Sequence, residues 1–377
     1  MANKIRMGVV FGGRSGEHEV SIRSARAVIE AIDRERYEVV PIAITKEGHW
    51  LSPAEAVRML PEETRPLLSE KISRAENAVA ILGDPSRQGL TALENNGQPR
   101  EPQALDVVFP VLHGPFGEDG TIQGLLEMAG IPYVGSGVLG SSCGMDKVVM
   151  KTLFRQAGLP ICKYTWFLRS EWERDRAGVV RRVGREIGFP CFVKPANLGS
   201  SVGISRATDA RTLEEAINLA ARFDRKLIIE EGLNAREIEC GVIGNDDPQA
   251  SLPGEYVVHD ERARFLDYTE KYSDTGHVEF VVPASIPKRL AERIRRLARQ
   301  AFQAVDCAGF ARVDFFLLRD SNELLLNELN TTPGLTDVSG FPKMWAASGM
   351  PFNKVLDRLV ELAFERHREK LRNQTSP

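Results

Sequence analysis

The chain has no run approaching the roughly twenty consecutive apolar residues that a membrane-crossing helix needs. It also lacks an excess of charge of either sign: 49 Lys and Arg stand against 52 Asp and Glu, a net charge of −3. Such a balance creates no overall field that would draw in a phosphate backbone or an anionic bilayer, so nucleic acid and membrane are excluded as main partners. The five cysteines are odd in number, widely spaced and set in apolar sequence, and no CxxC pair occurs. They read as free buried thiols in a reducing compartment, the cytosol. Two phosphate signatures are missing as well. No GxxxxGK[ST] loop exists, and Gly12-Gly13-Arg14-Ser15-Gly16 fails the GxGxxG spacing of dinucleotide sites. His18-Glu19 does not extend to HExxH, so no zinc is assigned there. There is no internal repeat and no low-complexity segment.

What is present is an ordinary globular composition, with 42% apolar and 27% charged residues over 377 positions. At about 150 residues per domain, that length implies two or three domains. Met7–Phe11 is a short apolar run ending in Gly12-Gly13, too short for a secretory core, and it reads as a first strand. A helix follows with Ile22, Ala25, Val28, Ile29 and Ile32 at helical spacing, then strands at Val39–Ile44 and Val107–Leu112. Strand, helix, strand in this order predicts a parallel, doubly wound sheet. Ser52 to Gln103 reads as an excursion with a little strand and helix and no chemistry. A boundary is expected near Gly135–Gly144. Beyond it come a helix containing Lys147, Met150, Leu153 and Phe154, then strands at Phe189–Val193, Leu227–Glu231, Glu237–Ile243, Gly254–Val258 and Val278–Val282. An amphipathic helix over Pro287–Val305 leads to strands Phe310–Leu318 and Glu323–Leu329. A last helix from about Phe352 to Glu365 is expected to fray into a charged tail.

Side chains alternate along a strand, so Arg312 and Asp314 share one face, as do Glu328 and Asn330. If the two strands pair, Asp314, Glu328 and Asn330 converge as oxygen ligands with Arg312 beside them, a donor set that suits Mg²⁺. The alternative is a solvated sheet face. Lys194, followed by Gly199-Ser200-Ser201-Val202-Gly203, reads as a phosphate loop, with backbone N–H groups and one point charge; an ordinary hairpin turn is the alternative. His113 to Thr121 closes a parallel strand where open α/β sheets bind ligands, and Glu17 sits in the matching place after the first strand. Glu17 could hold a substrate ammonium or only favour the dipole of the next helix. His113 could be a packed loop histidine.

Taken in order, these segments resemble the ATP-grasp superfamily and, within it, the D-alanine–D-alanine ligases. The motifs are Gly12-Gly13-Arg14-Ser15-Gly16-Glu17-His18-Glu19-Val20-Ser21, His113-Gly114-Pro115-Phe116-Gly117-Glu118-Asp119-Gly120, Gly135-Ser136-Gly137 and Met145-Asp146-Lys147. Lys194-Pro195 with its Gly/Ser loop, Glu270-Lys271-Tyr272, Arg312-Val313-Asp314 and Glu328-Leu329-Asn330-Thr331-Thr332-Pro333-Gly334 complete the set. The resemblance implies a mixed α/β and α+β, three-domain ATP-grasp fold. An N-terminal doubly wound parallel-sheet domain (1–140) is followed by a central domain (141–233) and a C-terminal domain (234–377), the last two clasping ATP. It implies ligation of two D-alanines through an acyl phosphate for peptidoglycan synthesis, or a D-Ala–D-Ser or D-Ala–D-Lac variant of that reaction.

The same resemblance assigns roles. Asp314, Glu328 and Asn330 would hold the metal, Mg²⁺ and expected to be two ions, with Mn²⁺ able to substitute. Lys147, Lys194 and Lys271 would clamp the phosphates, with Glu230 and Glu237 near adenine and ribose. Arg312 and the Gly334 N–H would stabilise the oxyanion. Glu17, linked to Ser200 and Tyr272, would hold the first ammonium; Ser339 would bind the second carboxylate, and His113 would orient substrate or handle a proton. Lys271-Tyr272 matches the dipeptide-forming branch. Gly340 departs from it, standing where many members carry a larger apolar side chain. A homodimer in the cytoplasm is the expected form, with D-alanine and ATP as its small-molecule partners.

Overall fold

The structure is a computed structural model that describes residues 4–68, 79–93, 103–199, 202–258 and 278–374. The first unit runs β1 (Ile5–Gly12), α1 (His18–Ala31), β2 (Tyr37–Ile44), β3 (Trp50–Leu51), α2 (Pro53–Met59), β4 (Val79–Ile81), β5 (Leu90–Ala92), β6 (Val107–Pro110) and α3 (Thr121–Met128). Its sheet has the order β3-β2-β1-β6, with β1 parallel to both β2 and β6, as the alternation of strand and helix predicts. Near-continuous apolar strands suit a sheet covered on both faces. Val9 and Phe11 pack with Val28 and Ile29 of α1, while Val10 and Val108 pack with Leu126 of α3.

The excursion after residue 52 completes this burial. Ser52 and Glu55 form a capping box that starts α2, which places Ala56 in the α1-side core. The β4–β5 hairpin places Val79, Ile81 and Leu90 in the opposite core. Its role is to close both faces of the sheet.

Next come α4 (Val138–Met145), α5 (Lys147–Gln156), β7 (Tyr164–Leu168), α6 (Arg169–Arg174), α7 (Arg176–Glu186), β8 (Cys191–Pro195), β9 (Ser205–Ala207), α8 (Ala210–Ala220) and β10 (Lys226–Glu231). The four strands form an antiparallel sheet ordered β7-β10-β8-β9. Alternation sorts its side chains. Val193, Leu227 and Ile229 face α7 and α8 in a core with Val183 and Ile217, whereas Ile228 packs with Val148 of α5 on the other side. Strand β8 starts two residues later than Phe189, the position at which the sequence predicts it.

The third unit holds β11 (Ala235–Gly244), β12 (Gln249–Ala250), β13 (Gly254–Val258), β14 (Val278–Val281), α9 (Lys288–Ala304), β15 (Gly309–Leu318), β16 (Leu324–Asn330), α10 (Gly340–Ala347) and α11 (Phe352–Lys370). Its antiparallel sheet runs β14-β13-β11-β15-β16, with β12 on β11. Helix α9 buries Ile294, Leu297, Ala298, Ala301 and Phe302 against Cys240, Val242, Val313 and Phe315. Each large side chain so buried contributes about 1.5–3 kcal/mol.

Helix α11 does not fray at Glu365. It continues to Lys370 because its end is anchored on the first unit: Arg366 donates to the carbonyls of Tyr133 (3.1 Å) and Gly135, and Lys370 pairs with Glu127. Among the described residues no helix is long and apolar enough to cross a membrane.

Candidate active site

The polar face of the third sheet is a set of aligned rows. Asp314 stands opposite Glu239 on one neighbouring strand and Glu328 on the other, and Arg312 stands opposite Gly241 and Asn330. The strand pairing expected from alternation is therefore present. Arg312 forks onto Asp314, with Nε and Nη2 each 2.7 Å from a carboxylate oxygen, and its Nε lies 3.2 Å from Glu239. Burial alone would push the Glu328 carboxyl up, but Lys147, then Lys194 and Arg312, outweigh it and hold it below the usual range. Asn330 Oδ1 accepts from Thr332 N–H at 2.9 Å and so shapes the turn that carries Gly334.

Two carboxylates and an amide on one face are hard oxygen donors, and nearby cations hold the Glu328 carboxyl below its usual range, so the set fits a divalent cation completed by water and phosphate oxygens. No larger cage exists: among the described residues no three His, Cys, Asp or Glu gather as a metal site.

Three lysines gather around Glu328 and the neighbouring Glu230. Asp146 caps α5 by accepting from the N–H groups of Val148 (3.0 Å) and Val149 (3.1 Å), and so fixes the helix start that presents Lys147. Lys147 Nζ donates to the Leu198 carbonyl at 2.7 Å and lies 3.7 Å from Glu328. Lys194 on β8 forms a 2.6 Å ion pair with Glu230, which pairs at 2.9 Å with Lys151. Burial would raise the Glu230 carboxyl, but Lys151 and then Lys194 hold it at about 2. Glu237 is half-buried on β11, opposite Phe316.

The first unit supplies the third wall. Gly12 turns the chain at φ +88°, where a Cβ would stand 2.3 Å from the Ile44 carbonyl, so only glycine fits. Ser21 Oγ accepts from Gly12 N–H at 2.8 Å and donates to the Val111 carbonyl, and Ser15 Oγ donates to the His113 carbonyl at 2.7 Å. These bonds bring Glu17 against the two other loops: a Cβ at Gly114 would lie 2.8 Å from Glu17 Oε2, and one at Gly199 would lie 3.2 Å away.

His113 sits between α1 and the turn after β16. Its Nδ1 lies 3.1 Å from the Thr332 carbonyl and its Nε2 lies 3.1 Å from Ser24 Oγ, so both ring nitrogens are engaged. Burial holds its pKa below the usual histidine value despite the opposing pull of Glu17. A neutral ring with Nδ1–H toward the carbonyl satisfies both contacts, which makes His113 a brace between α1 and the turn after β16.

Ser339 is buried beside Thr336, with hydroxyl oxygens 2.7 Å apart, and Gly334 is buried in the turn. Gly340 begins α10 against Phe280 and Glu239: a Cβ there would lie 2.6 Å from Phe280 Cζ and 2.8 Å from Glu239 Oε2. Ser200, Lys271 and Tyr272 lie outside the described residues.

The family model described as D-ala D-ala ligase N-terminus matches residues 6–136, and the one described as D-ala D-ala ligase C-terminus matches 153–361. The chain belongs to the D-Ala–D-Ala ligase family.

A D-alanine–D-alanine ligase of Natranaerobius thermophilus is 45% identical over 99% of this chain and 98% of its own. One from Heliobacterium modesticaldum is 47% identical with the same coverage. Among solved structures, the D-alanine–D-alanine ligase of Coxiella burnetii matches with a TM-score of 0.79 at 34% identity, covering 98% of each chain. A D-Ala:D-Ser ligase of Enterococcus faecalis matches at 0.81 and 34% identity, covering 96% of this chain and all of that one. The chain is thus a ligase with the ATP-grasp fold.

Three groups in this ligase escape the sequence reading. Glu239 is buried beside Arg312, but as a second acid after Glu237 it carries no signal of its own. Lys151 is fully buried, and its spacing of four from Lys147, which puts both on one helix face, is the clue that could have found it. Glu118 is buried and accepts from Gly114 N–H at 2.6 Å; burial, then Glu17, pushes its carboxyl up to about 8.

Proposed function

We propose that this ligase joins two D-alanines into D-alanyl-D-alanine in the cytoplasm, for the peptidoglycan of the cell wall, converting ATP to ADP and phosphate. The observation that carries the reading is the apposition of Lys147 and Lys194 to the face bearing Arg312, Asp314, Glu328 and Asn330. That is a cationic clamp opposite a carboxylate pair, with a guanidinium on the same face paired to Asp314. We assign nucleotide binding to the cleft between residues 141–233 and 234–377, and the first substrate to the loops of residues 1–140.

In the first step a carboxylate oxygen of the first D-alanine attacks the γ-phosphorus, and ADP leaves. In the second the free amine of the other D-alanine attacks the acyl phosphate carbonyl. Phosphate departs with the original carboxylate oxygen, and the amine proton is released. Glu17 holds the first ammonium, with Ser200 and Tyr272 completing that contact. Lys147, Lys194 and Lys271 hold the phosphates, Glu230 and Glu237 the adenine and ribose, and Ser339 the second carboxylate. Arg312 and the Gly334 N–H receive the negative charge that develops on the attacked carbonyl, the kind of interaction that dominates such catalysis. Asp314, Glu328 and Asn330 would hold Mg²⁺, with Mn²⁺ as substitute, which when bound neutralises charge on the transferring phosphoryl group. The active form is a homodimer.

The second reading is a D-Ala–D-Ser or D-Ala–D-Lac ligase, favoured by Gly340 and by the likeness to the Enterococcus faecalis enzyme. Phosphate release with D-alanine alone, and with D-serine or D-lactate added, separates the two. Robust release with D-alanine alone supports the first reading. Release that requires D-serine or D-lactate overturns it.

A further inference from the structure

Lys151 takes no part in the reaction as assigned, yet among the described residues it is the most deeply buried cation of the cleft. Its side chain is 0% exposed. Nζ makes three contacts, and all are internal: Glu230 Oε1 at 2.9 Å, the Asn327 carbonyl at 2.8 Å and Cys162 Sγ at 3.6 Å. An ammonium withdrawn from water must be paired in this way, and here the pairing occupies the whole group. Lys194, by contrast, holds the other oxygen of Glu230 at 2.6 Å from a side chain that is 11% exposed and borders the cleft. One buried carboxylate therefore sits between two ammoniums, one sealed in and one at the cleft edge.

Resting on the reading of Lys194 as a phosphate ligand, we propose that Lys151 is the resident counter-ion of Glu230, a positioning residue that allows Lys194 to leave Glu230 for the phosphates of ATP. A phosphate bound at the cleft edge would compete with Glu230 for the Lys194 ammonium. Were Lys194 the sole partner of Glu230, its departure would strand a carboxylate that is only 3% exposed, and an unpaired buried charge is strongly unfavourable. With Lys151 in place Glu230 keeps an ammonium 2.9 Å from one of its oxygens, and the transfer exchanges one anion for another. Lys151 also bonds the carbonyl next to Glu328, so one side chain anchors both the nucleotide strand β10 and the metal-facing strand β16.

The test is binding of a non-hydrolysable ATP analogue to the full-length protein by calorimetry, together with the KM for D-alanine, in Lys151→Met, Glu230→Gln, the double variant and Lys194→Met. Lys151→Met should weaken analogue binding about tenfold or more, because Glu230 then retains Lys194, while the D-alanine KM stays within about twofold. In the double variant the neutral amide at position 230 neither needs Lys151 nor traps Lys194, so binding should recover to the level of Glu230→Gln alone. A packing defect at position 151 would not be repaired by a change at 230. Thermal melts identify a variant that fails to fold, and the double variant, which removes the sealed Lys151–Glu230 pair as a unit and leaves only Lys194 at the cleft edge, keeps the question answerable. Unchanged analogue binding in Lys151→Met, or a double variant as weak as the product of the singles, overturns the proposal while leaving the nucleotide site intact. Unchanged binding in Lys194→Met overturns the reading beneath it.

Discussion

Asp314 and Glu328 face each other across the β15–β16 ladder, and Arg312 closes both oxygens of Asp314 at 2.7 Å. The carboxylate pair and its guanidinium sit on one rigid sheet face whose reverse is packed by α9. Small displacements of these groups are therefore resisted by the core itself. Asp314→Asn and Glu328→Gln should each lower kcat by about 100-fold or more, the scale seen when one charge-stabilising group is removed. Steady-state kinetics with melting curves as a folding control provide the check. Turnover within about threefold of the parent would remove both residues from the metal assignment.

Glu118 predicts a pH dependence of stability with a definite sign. Its carboxyl is pushed up to about 8 in the folded protein, whereas an unfolded chain loses that proton near the ordinary glutamate value. The folded state therefore holds the extra proton through the interval between them, and stability falls as pH rises through it. Glu118→Gln removes the titration but keeps an acceptor for the Gly114 N–H. Melting temperatures measured from pH 5 to pH 9 should show the parent losing stability relative to Glu118→Gln as pH increases. Parallel curves would contradict a protonated, buried Glu118.

Phe280 occupies the space that a side chain at position 340 would need. Its ring centroid lies 4.7 Å from that of Tyr256, and the ring reaches over Gly254 as well as Gly340. Gly340→Leu should therefore overpack this corner and cost about 1–3 kcal/mol in thermal unfolding. Phe280→Ala should offset part of that loss, so the double variant is more stable than the sum of the single effects. Strict additivity would show that the two positions do not share one volume.

Much of this site is visible in the sequence because strands impose a period of two. Arg312 and Asp314, then Glu328 and Asn330, interrupt apolar runs at alternate positions, and that pattern alone places them on one face. The parallel first sheet follows from strand and helix alternation in the same way. Other features depend on contacts between segments distant in sequence. Lys151 is one polar residue on an amphipathic helix until β10 and β16 close over it. Glu118 lies in a Gly-rich loop that looks solvent-exposed, and only the approach of Glu17 and the Gly114 backbone buries it. His113 reads as a candidate proton carrier, yet Ser24 and Thr332, 89 and 219 residues away along the chain, engage both of its nitrogens. The length of α11 is likewise set by Tyr133, Gly135 and Glu127 rather than by its own charged sequence.

Transfer of a carboxylate oxygen tests the proposed chemistry most directly. D-alanine labelled with ¹⁸O in its carboxylate is incubated with ATP, the divalent cation and the enzyme, and the released phosphate is examined by mass spectrometry. If a D-alanine carboxylate attacks the γ-phosphorus and the second amine then displaces phosphate, each phosphate released carries one labelled oxygen, ADP is formed, and D-alanyl-D-alanine accumulates in equal amount. Unlabelled phosphate accompanying dipeptide, or formation of AMP and pyrophosphate, would contradict the acyl phosphate route and the roles assigned to Arg312, Asp314 and Glu328.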